Sequence, residues 1–174
     1  MTVALVAAAA VAALLLLRAL ASRRGGSETL DFRGPVHSVE VTVASGQVTV
    51  RGGSRRDARV RRTTNTLRRP KVAEAVDDGV LRLEAPTGVV SYEVDVPARA
   101  TVTVRGDTAS ATVINVAGAV QLQAGTGTLE GRGLACPAVR AVTSAGSIRL
   151  SFDRAPAVVD VTTGNGTVDL LLPE

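Results

Sequence analysis

Apolar and polar residues alternate in short segments along most of this chain, and between residues 102 and 172 the segments recur at a nearly fixed spacing. Each alternation runs through a turn of small residues into a second alternation. The turn centres, 18 to 20 residues apart, are Ala109, Gly127, Gly146 and Gly166. Alternation with a period of two predicts β-strands with one buried face. Repeats of about 20 residues cannot bury their own apolar faces, which predicts stacked coils with a shared core.

The predicted fold is therefore all-β, a β-solenoid-like stack of two-stranded coils with a period of about 18–20 residues. The core-facing pairs predicted in the first strands are Val102/Val104, Val120/Leu122, Val139/Ala141 and Val159/Val161. Those predicted in the second strands are Ala111/Val113, Leu129/Gly131, Ile148/Leu150 and Val168/Leu170. The positions between them are expected to face water. One turn departs from the pattern, because Ala109 stands where glycine is expected.

The same pattern occurs earlier in the chain. Residues 39–43 and 48–50 alternate around a turn at 44–47, which predicts a displaced first copy of the repeat. The Asp77-Asp78-Gly79 segment predicts a hairpin turn. Residues 90–97 predict a strand with Tyr92, Val94 and Val96 on one face.

The first residues differ from the rest, because Thr2 to Leu17 is uninterrupted apolar sequence. Such a segment predicts a transmembrane helix over residues 1–21, in contact with membrane lipid, and Arg18 can extend the span by snorkelling. A linker over 22–28 and a repeat domain over 29–174 would follow. A cleaved signal peptide is the alternative, since Ala19-Leu20-Ala21 fits a cleavage site, whereas the missing basic n-region favours a signal anchor.

The orientation of a single-pass membrane protein of this kind is open from sequence. Arg18, Arg23 and Arg24 follow the apolar segment, and the positive-inside rule applied to them would keep the repeat domain in the cytoplasm. We nevertheless expect the extracytoplasmic side, on the resemblance described below.

Composition and charge add two expectations. Hydrophobic residues make up 45% of the chain and aromatic residues only 2%, which suits thin layered sheets, and the single cysteine, Cys136, is interpreted as a small buried side chain. Between residues 51 and 71 nine basic residues stand against one acid. This basic block is either a solvated arginine-rich strand or a surface for an anionic partner, such as lipid headgroups or a surface polymer. The residues predicted to bind such a partner are Arg55, Arg56, Arg59, Arg61 and Arg62.

The sequence offers few residues for nucleic-acid binding, catalysis or metal binding. The basic block has no aromatic residue, which argues against nucleic acid as the partner. His37 is the only histidine and is interpreted as a surface residue, and Asp77-Asp78 is better explained by its turn than by calcium binding. We therefore predict no enzyme activity, no catalytic residue, no metal site and no cofactor.

The strand ending in Tyr92-Glu-Val94-Asp-Val96-Pro97, followed by serial turns, resembles a known family. The matching turns are Ser45-Gly46-Gln47-Val48, Thr126-Gly127-Thr128-Leu129, Ala145-Gly146-Ser147-Ile148 and Thr163-Gly164-Asn165-Gly166-Thr167-Val168. They are similar to those of the bacterial putative-adhesin domains, a β-strand-repeat family of unknown function. The resemblance implies an envelope-associated adhesin-like binding or structural module without catalytic residues. The alternative is a cytoplasm-facing membrane-tethered scaffold or a component of an envelope-stress sensor.

Overall fold

The computed structural model describes residues 26–65 and 70–173, and 72% of these residues lie in β-strands. There is no helix among them, which confirms the prediction of an all-β fold. The strands are β1 (Ser27–Phe32), β2 (Ser38–Gly53), β3 (Ala58–Thr64), β4 (Ala73–Asp77), β5 (Val80–Pro97), β6 (Thr101–Ile114), β7 (Val120–Thr126), β8 (Leu129–Leu134), β9 (Ala138–Ala145), β10 (Ile148–Phe152), β11 (Val158–Asn165) and β12 (Val168–Leu171).

The strands form two ladders that share three long members. The first ladder runs β4-β5-β2-β6-β7-β9-β11, and the second runs β1-β3-β5-β2-β6-β8-β10-β12. Strands β2, β5 and β6 contribute their first halves to one ladder and their second halves to the other. The pairing is parallel except where β1, β3 and β4 join antiparallel. The sheet does not close on itself, so β1, β4, β11 and β12 are edge strands.

The registers confirm the predicted repeat. Along the first ladder, Val102 pairs with Val120, Val120 with Val139, and Val139 with Val159, at offsets of 18, 19 and 20 residues. Val39 pairs with Val102, and Val48 with Ala111, so β2 is the displaced first copy that the alternation predicted. The intervening strands β3, β4 and β5 are placed on the far side of β2.

A single core of small aliphatic side chains lies between the two ladders. The predicted core-facing residues of the first three coils are buried, and Tyr92 is the largest side chain that is completely buried. The prediction is wrong for the second strand of the last coil, where Val168 and Leu170 remain 41% and 44% exposed. The reason is that no further strand among the described residues covers β12.

Glycine is required where consecutive coils cross at the corner. Gly127, Gly146 and Gly166 have φ of 142°, 148° and 153°, and a Cβ on any of them would overlap a carbonyl oxygen of the coil below. Ala109 precedes Gly127 in this column and has no positive φ, whereas its register partner in β2, Gly46, has a φ of 136°. Alanine is therefore accommodated there, and its carbonyl lies against Gly127.

The predicted membrane segment, residues 1–21, lies outside the described residues. Over 26–65 and 70–173 no helix has the length and apolar character needed to cross a membrane. Strand β1 begins at Ser27, inside the segment 22–28 that was interpreted as a linker.

Candidate binding surface

The basic block occupies β3 and the loop that precedes it. Arg55 and Arg56 lie in the loop between β2 and β3, and Arg59, Arg61 and Arg62 lie on β3, which pairs with β1 on one side and β5 on the other. Arg68 and Arg69, also in the block, are outside the described residues. The five predicted binding residues are thus near one another in the chain and in the fold.

Most of these arginines are already paired with acids. Arg55 Nε lies 2.9 Å from Asp57 Oδ1, and Arg59 Nε lies 2.7 Å from Asp31 Oδ1. Arg61 Nη1 lies 4.0 Å from Glu93 Oε2, an oxygen that is also 3.9 Å from Arg51 Nη1. The hydrogen bond from Arg55 lowers the pKa of Asp57, and the hydrogen bond to Asp31 raises the pKa of Arg59. The arginines on the outer face of β3 are therefore flanked by acids of the neighbouring strands β1 and β5.

Arg62 faces the interior, because consecutive residues of a strand point to opposite faces. Its side chain is only 15% exposed and forms ion pairs with Glu28 of β1 and with Glu74 of β4, whose Oε1 lies 2.8 Å from Arg62 Nη1. Glu74 itself is 10% exposed. Arg62 therefore joins three strands and is not available to a partner at the surface.

The hydroxyl group of Tyr92 lies beside this ion pair. It has no hydrogen-bond partner among the residues that the structure describes, although Glu74 and Arg62 are near enough to affect its ionisation. Burial and the neighbouring carboxylate of Glu74 raise the pKa of Tyr92 far above its usual value. The hydroxyl therefore stays protonated at physiological pH and adds no charge to the ion pair.

Arg56 differs from the other four predicted residues. Its side chain is exposed, and it makes no ion pair with any residue that the structure describes. The acids that neutralise its neighbours were not predicted from the sequence. A signal for them exists, since Glu28 and Asp31 lie one strand before the block in the chain, and Glu93 and Asp95 alternate on the partner strand β5.

Potential metal ligands are dispersed over residues 26–65 and 70–173. No three potential metal-ligating side chains come together in this part of the chain. Cys136 is buried, and burial raises the pKa of its thiol, so the thiolate is disfavoured. His37 packs against the Gly79 turn.

Two of the surface grooves are lined by described residues. One of about 740 Å³ lies over β8, β10 and β12, where Glu130 pairs with Arg132 and Arg149 with Asp169. The other, of about 450 Å³, lies beside the corner of the first ladder and is lined by Arg105, Asp107 and Gln123 together with small side chains. Both are open and of mixed polarity, so their shape selects no particular ligand.

The sequence matches no protein-family model and no curated protein. Solved structures do match the fold. A putative cell adhesion protein from Clostridium sporogenes superposes with a TM-score of 0.59 over 86% of this chain and 100% of its own, at 9% identity. The chain is similar in fold to this cell adhesion protein. The resemblance to putative adhesins predicted from the turns is thereby confirmed at the level of the fold.

A putative adhesin from Parabacteroides distasonis also matches, with a TM-score of 0.35, 13% identity, and coverage of 85% of this chain and 97% of its own. A third match, to a putative adhesin from Parabacteroides merdae, has a TM-score of 0.33 and 10% identity over 85% of this chain and 96% of its own.

Proposed function

We propose that this chain is a non-catalytic, adhesin-like binding or structural module at the bacterial cell envelope. The observation that carries the proposal is the likeness of fold to the cell adhesion protein from Clostridium sporogenes, which extends over that protein's whole length. The proposed architecture is a β-solenoid-like stack, supported by the coil-to-coil offsets of 18 to 20 residues. An anchor in residues 1–21 would hold the stack at the membrane, with the repeat domain on the extracytoplasmic side.

A second candidate keeps the anchor and reverses its orientation. In that arrangement the repeat domain faces the cytoplasm as a scaffold or as a component of an envelope-stress sensor. The observation that favours it is the position of Arg18, Arg23 and Arg24 after the apolar segment, because the positive-inside rule retains such residues in the cytoplasm.

Labelling of an engineered cysteine distinguishes the two orientations. Ser54 is exposed just after β2, whereas the native Cys136 is buried and has a raised pKa. We expect the Ser54→Cys variant to react with a membrane-impermeant maleimide in intact cells, because its thiol is on the outside. The wild-type protein is the matched control and should stay unlabelled in intact and in gently lysed cells. Labelling of Ser54→Cys only after lysis would contradict the extracytoplasmic placement and favour the cytoplasmic scaffold.

We further propose that an anionic surface polymer or lipid headgroups bind at the loop before β3. Arg56 carries an exposed, unneutralised charge there, and Arg55 is next to it. Arg59 and Arg61 would add a weaker attraction, since Asp31 and Glu93 already compensate them. Arg62 is expected to contribute least because it faces the interior.

Replacing both loop arginines, Arg55→Gln with Arg56→Gln, is expected to weaken binding of dextran sulfate to the full chain about tenfold. A basic residue near an anionic surface contributes about 1 kcal/mol, and the pairing of Arg55 with Asp57 reduces its share. Titration calorimetry at low and high salt measures the effect. Arg82→Gln is the control, because Arg82 is paired with Glu40 on the other ladder and should not matter. Equal losses in the control, or equal binding of uncharged dextran, would contradict a specific anionic site.

A further inference from the structure

The end of the stack formed by β11 and β12, residues 158–172, is the least covered part of the fold, and we call it the C-terminal coil. Of the six large hydrophobic side chains exposed in the described residues, all but Val89 belong to it. They are Val158, Val168, Leu170, Leu171 and Leu172, with exposed fractions of 41–68%. The outer backbone edges of β11 and β12 also have no partner strand in the described part of the chain. Exposed apolar side chains on an open strand edge favour pairing with another chain.

Among the described residues, the opposite end of the stack exposes charged side chains and not large apolar ones. There β1 and β4 are the edge strands, and the apolar side chains Leu30, Phe32 and Val76 are partly buried against the core. Half-exposed charges lie at this end, including the ion pair of Arg59 on β3 with Asp31 on β1. A second copy placed head to tail would have to bury these charges at a cost in desolvation. The covered end is therefore a poor acceptor for the C-terminal coil.

The charged side chains of β11 and β12 do not oppose contact between two C-terminal coils. Asp160 and Asp169 are the only ionisable residues on β11 and β12. Each is already paired within its own copy, with Arg140 at 3.5 Å and with Arg149 at 3.4 Å. Two such ends therefore approach without bringing uncompensated acids together. Their apolar rows and open backbone edges are the same on both copies, as a twofold interface requires.

We propose that two copies of this chain associate through their C-terminal coils, each covering the open end of the other. The arrangement is closed, so it produces a dimer and not a filament. The pairing is independent of the adhesin-like function proposed above. Two strands of 8 and 4 residues, with sheets about 10 Å apart, present a face of roughly 400 Å² per copy. Such an area is below that of a standard interface, and a dissociation constant of about 10–100 μM is expected.

The test is a distance measurement between nitroxide labels on the full chain in detergent. Head-to-head pairing brings labels at Thr167→Cys close together, within about 20 Å including the label arms. It separates labels at Thr29→Cys, on β1, by roughly 70 Å, since each copy stacks eight strands at about 4.8 Å. Buried Cys136 does not compete for the label. A short distance at Thr29 would show that the copies join through another surface and would overturn the proposal.

Sedimentation equilibrium of variants supplies the second readout. Leu171→Lys, at a side chain that is 68% exposed and so not needed for folding, should weaken dimerisation at least tenfold. Val89→Lys, at the exposed hydrophobic residue outside the C-terminal coil, should leave it unchanged. A protein that stays monomeric at millimolar concentration, a mass that grows beyond the dimer, or equal losses in both variants would each refute the proposal.

Discussion

Replacing Gly146 by alanine is expected to reduce the free energy of unfolding by about 3 kcal/mol or more. Gly146 has a φ of 148°, a conformation that residues with a Cβ rarely adopt. A Cβ at this position would also overlap the carbonyl oxygen of Gly127, which belongs to the backbone of the neighbouring coil. Backbone atoms held in hydrogen-bonded strands cannot move aside independently, so the strain would spread to the hydrogen bonds between neighbouring strands. Urea unfolding followed by circular dichroism measures the loss.

Gly53→Ala is the matched control for this substitution. Gly53, the last residue of β2, has no positive φ, and no atom lies within 4 Å of the place its Cβ would take. Its substitution should change stability by no more than about 0.5 kcal/mol. If Gly146→Ala were as stable as Gly53→Ala, the glycine column would not be what sets the spacing of the coils.

The second large effect is expected at the inward-facing ion pair of β3 and β4. The Arg62→Met substitution should destabilise the protein by about 2–3 kcal/mol, because it leaves the largely buried carboxylate of Glu74 without a counter-ion. The combined change Arg62→Met and Glu74→Met should recover most of the loss, since it replaces the charged pair with apolar side chains.

The exposed pair of Arg140 and Asp160 is the control for the ion-pair experiment. Both side chains are more than half exposed, so Arg140→Met should cost less than about 1 kcal/mol. Thermal or urea unfolding of the single and double variants at pH 7 gives the free energies of unfolding for this double-mutant cycle. A double variant no more stable than Arg62→Met alone would show that Arg62 acts through its contacts with Glu28 and not through neutralising Glu74.

Much of the fold was predictable because its rules are local. The alternation of residues 39–43 and of the later repeats predicted which side chains would be buried, since strand side chains point to alternate faces. The hairpin at Asp77-Asp78-Gly79 was also predicted, and β4 and β5 flank it. The strand predicted at residues 90–97 is only the second half of β5, because both halves of this long strand pair with β2.

The candidate site was predicted less completely. The sequence located the basic residues, and the structure shows that Arg62 lies on the opposite face of β3 from Arg59 and Arg61. Their partners come from strands distant in the chain, and the pair of Arg62 and Glu28 spans 34 residues. The basic block itself contains only one acid, Asp57. A charge count over the block therefore overstates the positive charge of the folded surface.

What the sequence by itself determined is the repeat, the faces of its strands and the need for glycine at its corners, because each depends on residues that are neighbours in the chain. The tertiary structure decided which arginines are neutralised and which edge strands of the sheet leave apolar side chains exposed. Both depend on the order in which the strands lie side by side. That order results from packing the whole core and is not encoded in any single segment.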